Sequence, residues 1–310
     1  MNKFLKWLGI LLGGILGIAL IGLLGYYIYW VTQARQTIEV EVDTLEIPTD
    51  QASIERGQIL VEIVRCTECH GKDLSGDVWA GRQRPILTGL FGPSNLTPGE
   101  NGLENYTDED YVRAIRHGVG QDGKALIYMP SNFYVDLNEQ DLGDIIAYLK
   151  TLPPSSEPGP PNSWSGPLLW NFVLENPQGL PAVKLIDHEA VREIPTGPEP
   201  GDTLAYGEYL SLPCKSCHGD DFAGVPLLER LGVASPNITP YSLGDWTEEE
   251  FFIAMREGAV PDGTFIPQSL MPWTAIGQLT DEELHAIWAY LQSLPAVAPE
   301  DAIEFQNSEG

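Results

Sequence analysis

Residues 66–71 have the sequence CTECHG, and residues 214–219 repeat it as CKSCHG. The sequence flanking these two stretches also repeats, in the same order and at an offset of 140–148 residues. The further matched pairs are NLTP 95–98 with NITP 237–240, AIRHG 114–118 with AMREG 254–258, MP 129–130 with MP 271–272, and AYLKTLP 147–153 with AYLQSLP 289–295. Chance does not produce so many ordered matches, so the chain contains a duplicated domain.

Each repeated stretch contains C-x-x-C-H, the attachment pattern of a c-type haem. Two thiols separated by two residues match the spacing of the haem vinyl groups, and the adjacent histidine then lies under the iron. The pattern predicts two haem c groups, held by Cys66, Cys69 and His70 and by Cys214, Cys217 and His218. A four-thiolate zinc site and a thiol redox pair compete with this interpretation, but neither explains the histidine after each cysteine pair.

The second axial ligand of each iron is predicted by elimination. Met129 and Met271 each precede a proline, and they correspond to each other in the two repeats. Met255 aligns with an isoleucine, which indicates a core position, and His188 is interpreted as a surface residue. The other histidines do not recur between the repeats. We therefore expect Met129 and Met271 to bind the irons, with histidine ligation as the alternative. Thioether ligation raises the reduction potential and closes the iron to oxygen and peroxide.

Four further residues are candidates for tuning the haem sites. The carbonyls of Pro85 and Pro226 could accept a hydrogen bond from the outer nitrogen of each motif histidine, although both residues also fit simple turns. The side chains of Arg82 and Arg84 could pair with haem propionates, or they could lie in a solvated loop.

The sequence predicts an all-α fold with three main helices in each repeat. Their expected ranges are 52–64, 108–117 and 139–151 in the first repeat, and 202–211, 248–257 and 281–293 in the second. Capping residues open the later helices, and leucine–proline pairs end the last one of each repeat. Gly57 and Gly207 are expected to let the first helix approach Tyr148 and Tyr290 on the last helix closely.

An uncharged run of 24 residues, Trp7 to Trp30, predicts one N-terminal transmembrane helix. Lysines precede the run and acidic residues follow it, so the positive-inside rule places the rest of the chain on the outer, periplasmic side of the cytoplasmic membrane. A cleaved signal peptide is the alternative, but the run is long for one.

These patterns divide the chain into six segments. The expected segments are an anchor (1–35), a juxtamembrane linker (36–51), a first haem domain (52–153), a proline-rich connector (154–200), a second haem domain (201–297) and an acidic tail (298–310).

The formal net charge of −27 argues against nucleic acid as a partner. The acidic excess is concentrated in residues 201–310, which carry 18 acidic and 3 basic side chains. This excess serves solubility, or it faces a basic docking surface or keeps the domain away from a negative one.

At the two C-x-x-C-H motifs, each repeat resembles class I cytochrome c. The N-[LI]-T-P, Asp-Gly, Met-Pro and Tyr-Leu-x-x-Leu-Pro segments extend the resemblance to the cytochrome subunits of membrane-bound alcohol, aldehyde and sugar-acid dehydrogenases. Those subunits usually hold three haems, whereas this chain has two motifs. Cytochromes of this build also resemble electron-transfer subunits of quinol-oxidising and terminal oxidase complexes.

The resemblance implies an electron carrier rather than an enzyme. Its redox partners would be a dehydrogenase, a quinol-oxidising complex or a terminal oxidase. A di-haem peroxidase is the alternative function, but it needs one iron with an open site, and a methionine in each repeat argues against this.

Overall fold

A computed structural model of the chain describes residues 3–76, 93–126, 129–156, 182–198, 203–225 and 235–298. Their regular structure is helical, and strand pairing among them is limited to three isolated bridges, which confirms the all-α expectation. The α-helices are α1 (Lys3–Arg35), α2 (Gln51–Ile63), α3 (Cys66–His70), α4 (Asp108–His117), α5 (Glu139–Thr151), α6 (Leu204–Ser211), α7 (Lys215–His218), α8 (Pro240–Leu243), α9 (Glu248–Glu257), α10 (Trp273–Ile276) and α11 (Asp281–Ser293). Short 3-10 turns span Ser131–Phe133, Ala182–Lys184 and Leu212–Cys214.

Local capping chemistry fixes the ends of the predicted helices. Thr107, Thr247 and Thr280 each form a capping box with the acidic residue three positions later. Helices α4 and α9 end at Gly118 and Gly258, which have φ values of 65° and 71°. A left-handed residue at a helix end favours glycine because it carries no Cβ. The six predicted helices are all present within two residues of their expected bounds.

The chain forms two compact units whose boundaries differ from those of the sequence repeats. The first unit contains residues 1–47, 68–137 and 149–194, and the second contains 48–67, 138–148 and 195–310. The second unit thus combines α2 and most of α5, which come from the first repeat, with the whole second repeat.

The core of the second unit is built mainly from the second repeat. Phe222, Phe251, Leu284 and Ile287 are buried in one hydrophobic cluster, and Ile63 of α2 joins them. Each such side chain stabilises the fold by about 1.5–3 kcal/mol when buried. Met255 lies in the same cluster with 8% of its surface exposed, so its predicted core position is confirmed.

Two glycines allow close helix crossings within the second unit, as the sequence predicted. A Cβ on Gly57 would overlap the carbonyl oxygen of Asp144 and lie 2.9 Å from the Cβ of Tyr148. A Cβ on Gly207 would overlap the carbonyl oxygen of Ala286 and lie 2.9 Å from the Cβ of Tyr290. No larger residue fits either position without moving the helices apart.

A buried ionic network joins α2, α5 and α11 in the second unit. Nη1 of Arg56 lies 2.6 Å from Oε1 of Glu283, and Nε of Arg56 donates to Oδ1 of Asp141 over 3.1 Å. The hydroxyl of Tyr209 donates to the other Asp141 oxygen over 2.7 Å. Asp144 is also buried, and its Oδ2 lies 3.7 Å from Nε of Arg56. Removing Arg56 would therefore leave several carboxylates buried without a cation, which is strongly destabilising.

The carboxylates of this network respond differently to burial. Burial raises the pKa of Asp144 to about 6, because the hydrogen bond from Ser53 and the charge of Arg56 offset only part of the desolvation. Burial also acts to raise the pKa of Glu283, but the charge of Arg56 and the hydrogen bonds from Thr280 outweigh it and lower this pKa. Asp144 thus gains a proton before Glu283 as the pH falls.

None of the described side chains in the apolar part of helix α1 is buried. Within it, Lys6–Tyr29 forms a 24-residue apolar span with a mean hydropathy of 2.4. Among the described helices, α1 alone is long and apolar enough to cross a membrane. A membrane anchor and an export signal both fit this composition. Most of the expected connector and acidic tail lies outside the described residues.

We predict that Asp144→Asn removes a pH dependence of stability. The pKa of this carboxyl is higher in the folded than in the unfolded chain, so the folded state binds more protons between about pH 4 and pH 6. The native chain should therefore lose about 2 kcal/mol of stability as the pH rises through this window, and the variant should not. Thermal unfolding of the detergent-solubilised protein at a series of pH values measures the difference. Glu139→Gln, at an exposed position of α5, should keep the native slope; an unchanged slope in Asp144→Asn contradicts the assignment.

Candidate functional site

The C-x-x-C-H residues lie in short helical segments. Cys66–His70 forms α3, while Cys214 ends a 3-10 turn and His218 ends α7. In a helix, residues three apart face the same side, so each spacing directs two thiols toward one region. The four cysteines all belong to the described part of the chain and form no disulfide. Burial, followed by the charge of Cys217, raises the pKa of the Cys214 thiol to about 12.

Both motif histidines bond to a backbone carbonyl through the same ring nitrogen. Nδ1 of His70 lies 2.7 Å from the oxygen of Ser94, and Nδ1 of His218 lies 2.8 Å from the oxygen of Pro236. A carbonyl only accepts, so each Nδ1 carries the proton and each Nε2 presents a lone pair. Burial lowers the pKa of both histidines, which keeps the imidazoles neutral. A neutral imidazole with an oriented Nε2 is a suitable iron ligand.

The hypothesis that prolines 85 and 226 supply these carbonyls is wrong. The acceptors are Ser94 and Pro236, which directly precede the repeated Asn-x-Thr-Pro segments. The sequence offered one indication of these acceptors, because Ser94 and Pro236 occupy equivalent positions in the two repeats. Pro85, Pro226, Arg82 and Arg84 lie outside the described residues.

A strained residue stands at the same place in both loops that follow the motifs. Leu74 and Phe222 have φ values of 57° and 59°, in the left-handed region that larger side chains avoid. Both side chains are buried, and their carbonyls accept hydrogen bonds from Leu96 and Ile238 over 2.8 and 2.9 Å. Such a conformation costs about 1–3 kcal/mol and persists only where the surroundings enforce it. Here the resulting bonds attach each loop to the segment that carries the acceptor carbonyl.

The asparagine that follows each acceptor carbonyl stabilises the acceptor segment through side-chain hydrogen bonds. Oδ1 of Asn237 accepts from the backbone N–H and the hydroxyl of Thr239, over 2.8 and 2.7 Å. Its Nδ2 donates to the carbonyl of Val297 over 2.7 Å. Asn95 makes the equivalent bonds to Thr97 and Ser155 in the first repeat. The two asparagines therefore fix the loop that orients each histidine.

The methionine–proline pairs adopt the same turn in both repeats. The carbonyls of Met129 and Met271 each accept a hydrogen bond over 2.8 Å from the residue two positions later. The intervening Pro130 and Pro272 have φ near −80° and ψ of 55° and 49°, which is an inverse γ-turn. Both methionine side chains are half-buried, and that of Met271 packs with Cys214 against the core of the second unit.

A repeated arginine holds the chain six residues after each methionine. Nη2 of Arg116 donates to the carbonyl of Val135 over 2.6 Å, and Nη1 of Arg256 donates to the carbonyl of Gly277 over 3.1 Å. The recurrence of this arginine was visible in the sequence, but its bonding partner was not. Each methionine segment is thereby fixed to the helix that precedes it.

The interpretation of His188 as a surface residue is wrong. Its side chain is half-buried, and its Nδ1 lies 3.1 Å from Nδ1 of the fully buried His117. Burial, with the nearby charges of His188 and Arg116, lowers the pKa of His117 to about 4. This pair occurs in the first repeat alone, since Glu257 occupies the position equivalent to His117.

Known proteins match the chain across both repeats. The cytochrome c family model matches residues 54–153 and again residues 205–295. The chain is 26% identical over 281 residues to the cytochrome c subunit of a quinone-type alcohol dehydrogenase from Gluconacetobacter polyoxogenes, covering 81% of this chain and 58% of that protein. It is 30% identical over 277 residues to the fructose dehydrogenase cytochrome subunit of Gluconobacter japonicus, covering 79% of this chain and 53% of that protein.

A third relative matches over nearly its whole length. The chain is 28% identical over 309 residues to a protein described as a dihaem c-type cytochrome from Cereibacter sphaeroides, with 91% of this chain and 97% of that protein covered. The chain therefore spans little more than half of the dehydrogenase subunits but almost all of the dihaem protein.

We predict that Asn237→Ala destabilises the second repeat by about 2–4 kcal/mol, because three hydrogen bonds of a half-buried loop are lost together. Asn237→Asp keeps the Oδ1 acceptor and removes the donor to Val297, so its loss should be smaller. Thermal unfolding of the purified protein gives both values. Equal stability of Asn237→Ala and the native chain would show that the segment is held by other contacts.

Proposed function

We propose that this chain, which belongs to the cytochrome c family, binds two haem c groups, one in each repeat, and relays electrons at a membrane. Electron transfer through covalently bound haem c follows from the family and from its relatives, which are named as cytochromes or as cytochrome subunits. The number of haems, their ligands, the side of the membrane and the partner are our inference. The repeated bond from histidine Nδ1 to a carbonyl is the observation that carries it.

Each repeat contains a complete set of residues for one haem. We assign the thioether bonds to Cys66 and Cys69 and to Cys214 and Cys217, and the axial ligands to His70 with Met129 and His218 with Met271. The proline turn that follows each methionine supports the assignment. Pro130 and Pro272 have nearly the same dihedral angles, although the residues that follow them differ.

The protein residues in this assignment position and protect the cofactor. Bound haem supplies an iron that takes up and releases one electron. The cysteines keep the haem attached when the protein is outside the cell interior. The carbonyls of Ser94 and Pro236 fix the histidine rings and increase the basicity of Nε2. In this assignment each methionine would hold the last ligand position of its iron, and no place would remain for peroxide, which argues against the peroxidase alternative.

The segment boundaries follow from the same assignment. We propose an anchor at 1–35, a linker at 36–51, haem domains at 52–153 and 201–297, a connector at 154–200 and a tail at 298–310. The 24-residue apolar span supports retention of α1 as the anchor. The lysines before it and the acidic residues after it support placement of both haem domains on the outer side.

We predict that the reduced native protein binds no carbon monoxide and that each methionine variant binds it at one haem. Met129→Ala and Met271→Ala each remove one sixth ligand, so carbon monoxide should bind half of the haem in either variant and all of it in the double variant. Absorbance titration gives the stoichiometry. Met255→Leu, a core substitution of similar volume, should behave as the native protein. Carbon monoxide binding to the native protein would contradict the ligands and favour a peroxidase-type open site.

We further propose a membrane-bound dehydrogenase as the electron donor. Two of the relatives are named as cytochrome subunits of alcohol and fructose dehydrogenases. After extraction in mild detergent, a flavin or quinone-dependent dehydrogenase should co-purify with the haem-stained chain. Isolation with a terminal oxidase or a quinol-oxidising complex would reject the dehydrogenase, and isolation alone would reject a stable subunit in favour of a tethered carrier.

A further inference from the structure

The loop before each methionine has the same backbone structure in both repeats. We call residues 118–126 the first loop and residues 258–266 the second loop. The backbone N–H of the last residue donates to the carbonyl of the first over 2.7 Å in both loops. Inside each loop, a second bond joins Gly120 to Lys124 over 2.8 Å and Val260 to Thr264 over 3.1 Å. Differences between the outer edges of these loops therefore do not arise from their backbone folds.

The outer edge of the first loop is covered by an extended segment of the same chain. The N–H of Ile38 donates to the carbonyl of Gly123 over 2.8 Å, and Thr37 forms an antiparallel bridge with Lys124. A Cβ on Gly123 would lie 2.9 Å from Cγ2 of Thr37. Residues 36–43, which we call the strap, thus pair with the edge of this loop through one antiparallel bridge within the first unit.

The equivalent edge of the second loop is open. A Cβ on Gly263, the counterpart of Gly123, would meet no atom within 4 Å. Within the described ranges, no backbone N–H donates to the Gly263 carbonyl. Phe265 occupies the position of Ala125, and 73% of its surface is exposed. The bridge between Ala259 and Phe265 and the neighbouring bond from Ile266 to Gly258 hold the backbone of Phe265 in a defined place.

The two edges differ in charge: the acidic residue Asp122 recurs as Asp262, but the basic residues Arg113 and Lys124 are not repeated. The strap is acidic, and Arg192 of the first unit pairs with its Glu41 and Asp43 over 2.9 and 3.4 Å. Arg113 lines the same cavity as the strap, and Lys124 lies at the bridge. In the second loop, these two basic positions are taken by an exposed isoleucine, Ile253, and by a threonine, Thr264, with exposed Glu257 and Asp262 nearby. The second edge is therefore apolar and acidic.

We propose that the open edge of the second loop binds an extended, positively charged segment of a redox partner protein. The partner's backbone would donate to the Gly263 carbonyl as Ile38 does to Gly123, while an apolar side chain covers Phe265 and Lys or Arg side chains face Glu257 and Asp262. The strap of a second copy of this chain is disfavoured, because its carboxylates would face acidic residues. The redox role of this partner rests on the proposed function, whereas binding at the open edge does not depend on the haem ligands.

Synthetic peptides based on the strap test this edge. The probe has the sequence of residues 36–43 with Glu39→Lys, Glu41→Lys and Asp43→Lys. We expect it to bind the detergent-solubilised full chain in isothermal titration calorimetry. The unaltered strap peptide, a scrambled peptide of the probe's composition, and the probe with an N-methyl group on the Ile38 amide should each bind at least about tenfold more weakly.

Two variants of the full chain locate the binding. Phe265→Ser should weaken binding of the probe by about tenfold. Phe133→Ser, at another exposed aromatic of the described chain, should leave the affinity for the probe unchanged. Both side chains are exposed, so neither change should disturb folding. Equal binding of the scrambled or N-methylated peptide, or an unchanged affinity in Phe265→Ser, would overturn the proposal. Tighter binding of the unaltered strap would overturn it in favour of a second copy of this chain.

Discussion

The hydrogen bond between Nδ1 of each motif histidine and a backbone carbonyl is the constraint on which each site depends. The bond fixes the proton on Nδ1 and leaves a lone pair on Nε2, the nitrogen that we propose as the iron ligand. This bond requires the segment that carries the acceptor carbonyl, 24 residues after His70 and 18 residues after His218, to lie beside the histidine ring. The left-handed Leu74 and Phe222 and the repeated Asn95 and Asn237 all hold the returning segment in place. The strained loop residues are therefore explained by the position of two carbonyl oxygens.

Duplication provides an internal comparison between two copies of one fold. Both copies keep the carbonyl that orients the histidine, the turn after the methionine and the arginine that holds the following segment. The copies differ around these parts: His117 is replaced by Glu257, and Ala125 by Phe265. The retained features surround the proposed iron ligands. The divergent residues lie where the two copies have different neighbours: His117 contacts His188, whereas Phe265 is exposed. This pattern fits two similar redox centres in one chain, with different surfaces around them.

Features that depend on neighbouring residues were predictable from the sequence. Contacts between residues far apart in the sequence were not. The main helices were found because threonine caps and glycine ends act within one turn. The carbonyl partners of the histidines were assigned to the wrong prolines, because order along the chain does not show which residue returns to the ring. Burial of His188 beside His117 and the bonds of Arg56 to Asp141 and Glu283, up to 227 positions away, have the same origin. The helices α8 and α10 are too short to produce a periodic pattern.

The intact mass of the denatured protein tests most directly whether each repeat holds its own covalent haem. We predict that the purified chain keeps the added mass of two haem groups after unfolding, and that replacing both Cys214 and Cys217 by alanine reduces this to one. A native mass equal to the polypeptide alone would contradict covalent attachment. A single added haem in the native chain would contradict the equivalence of the two repeats.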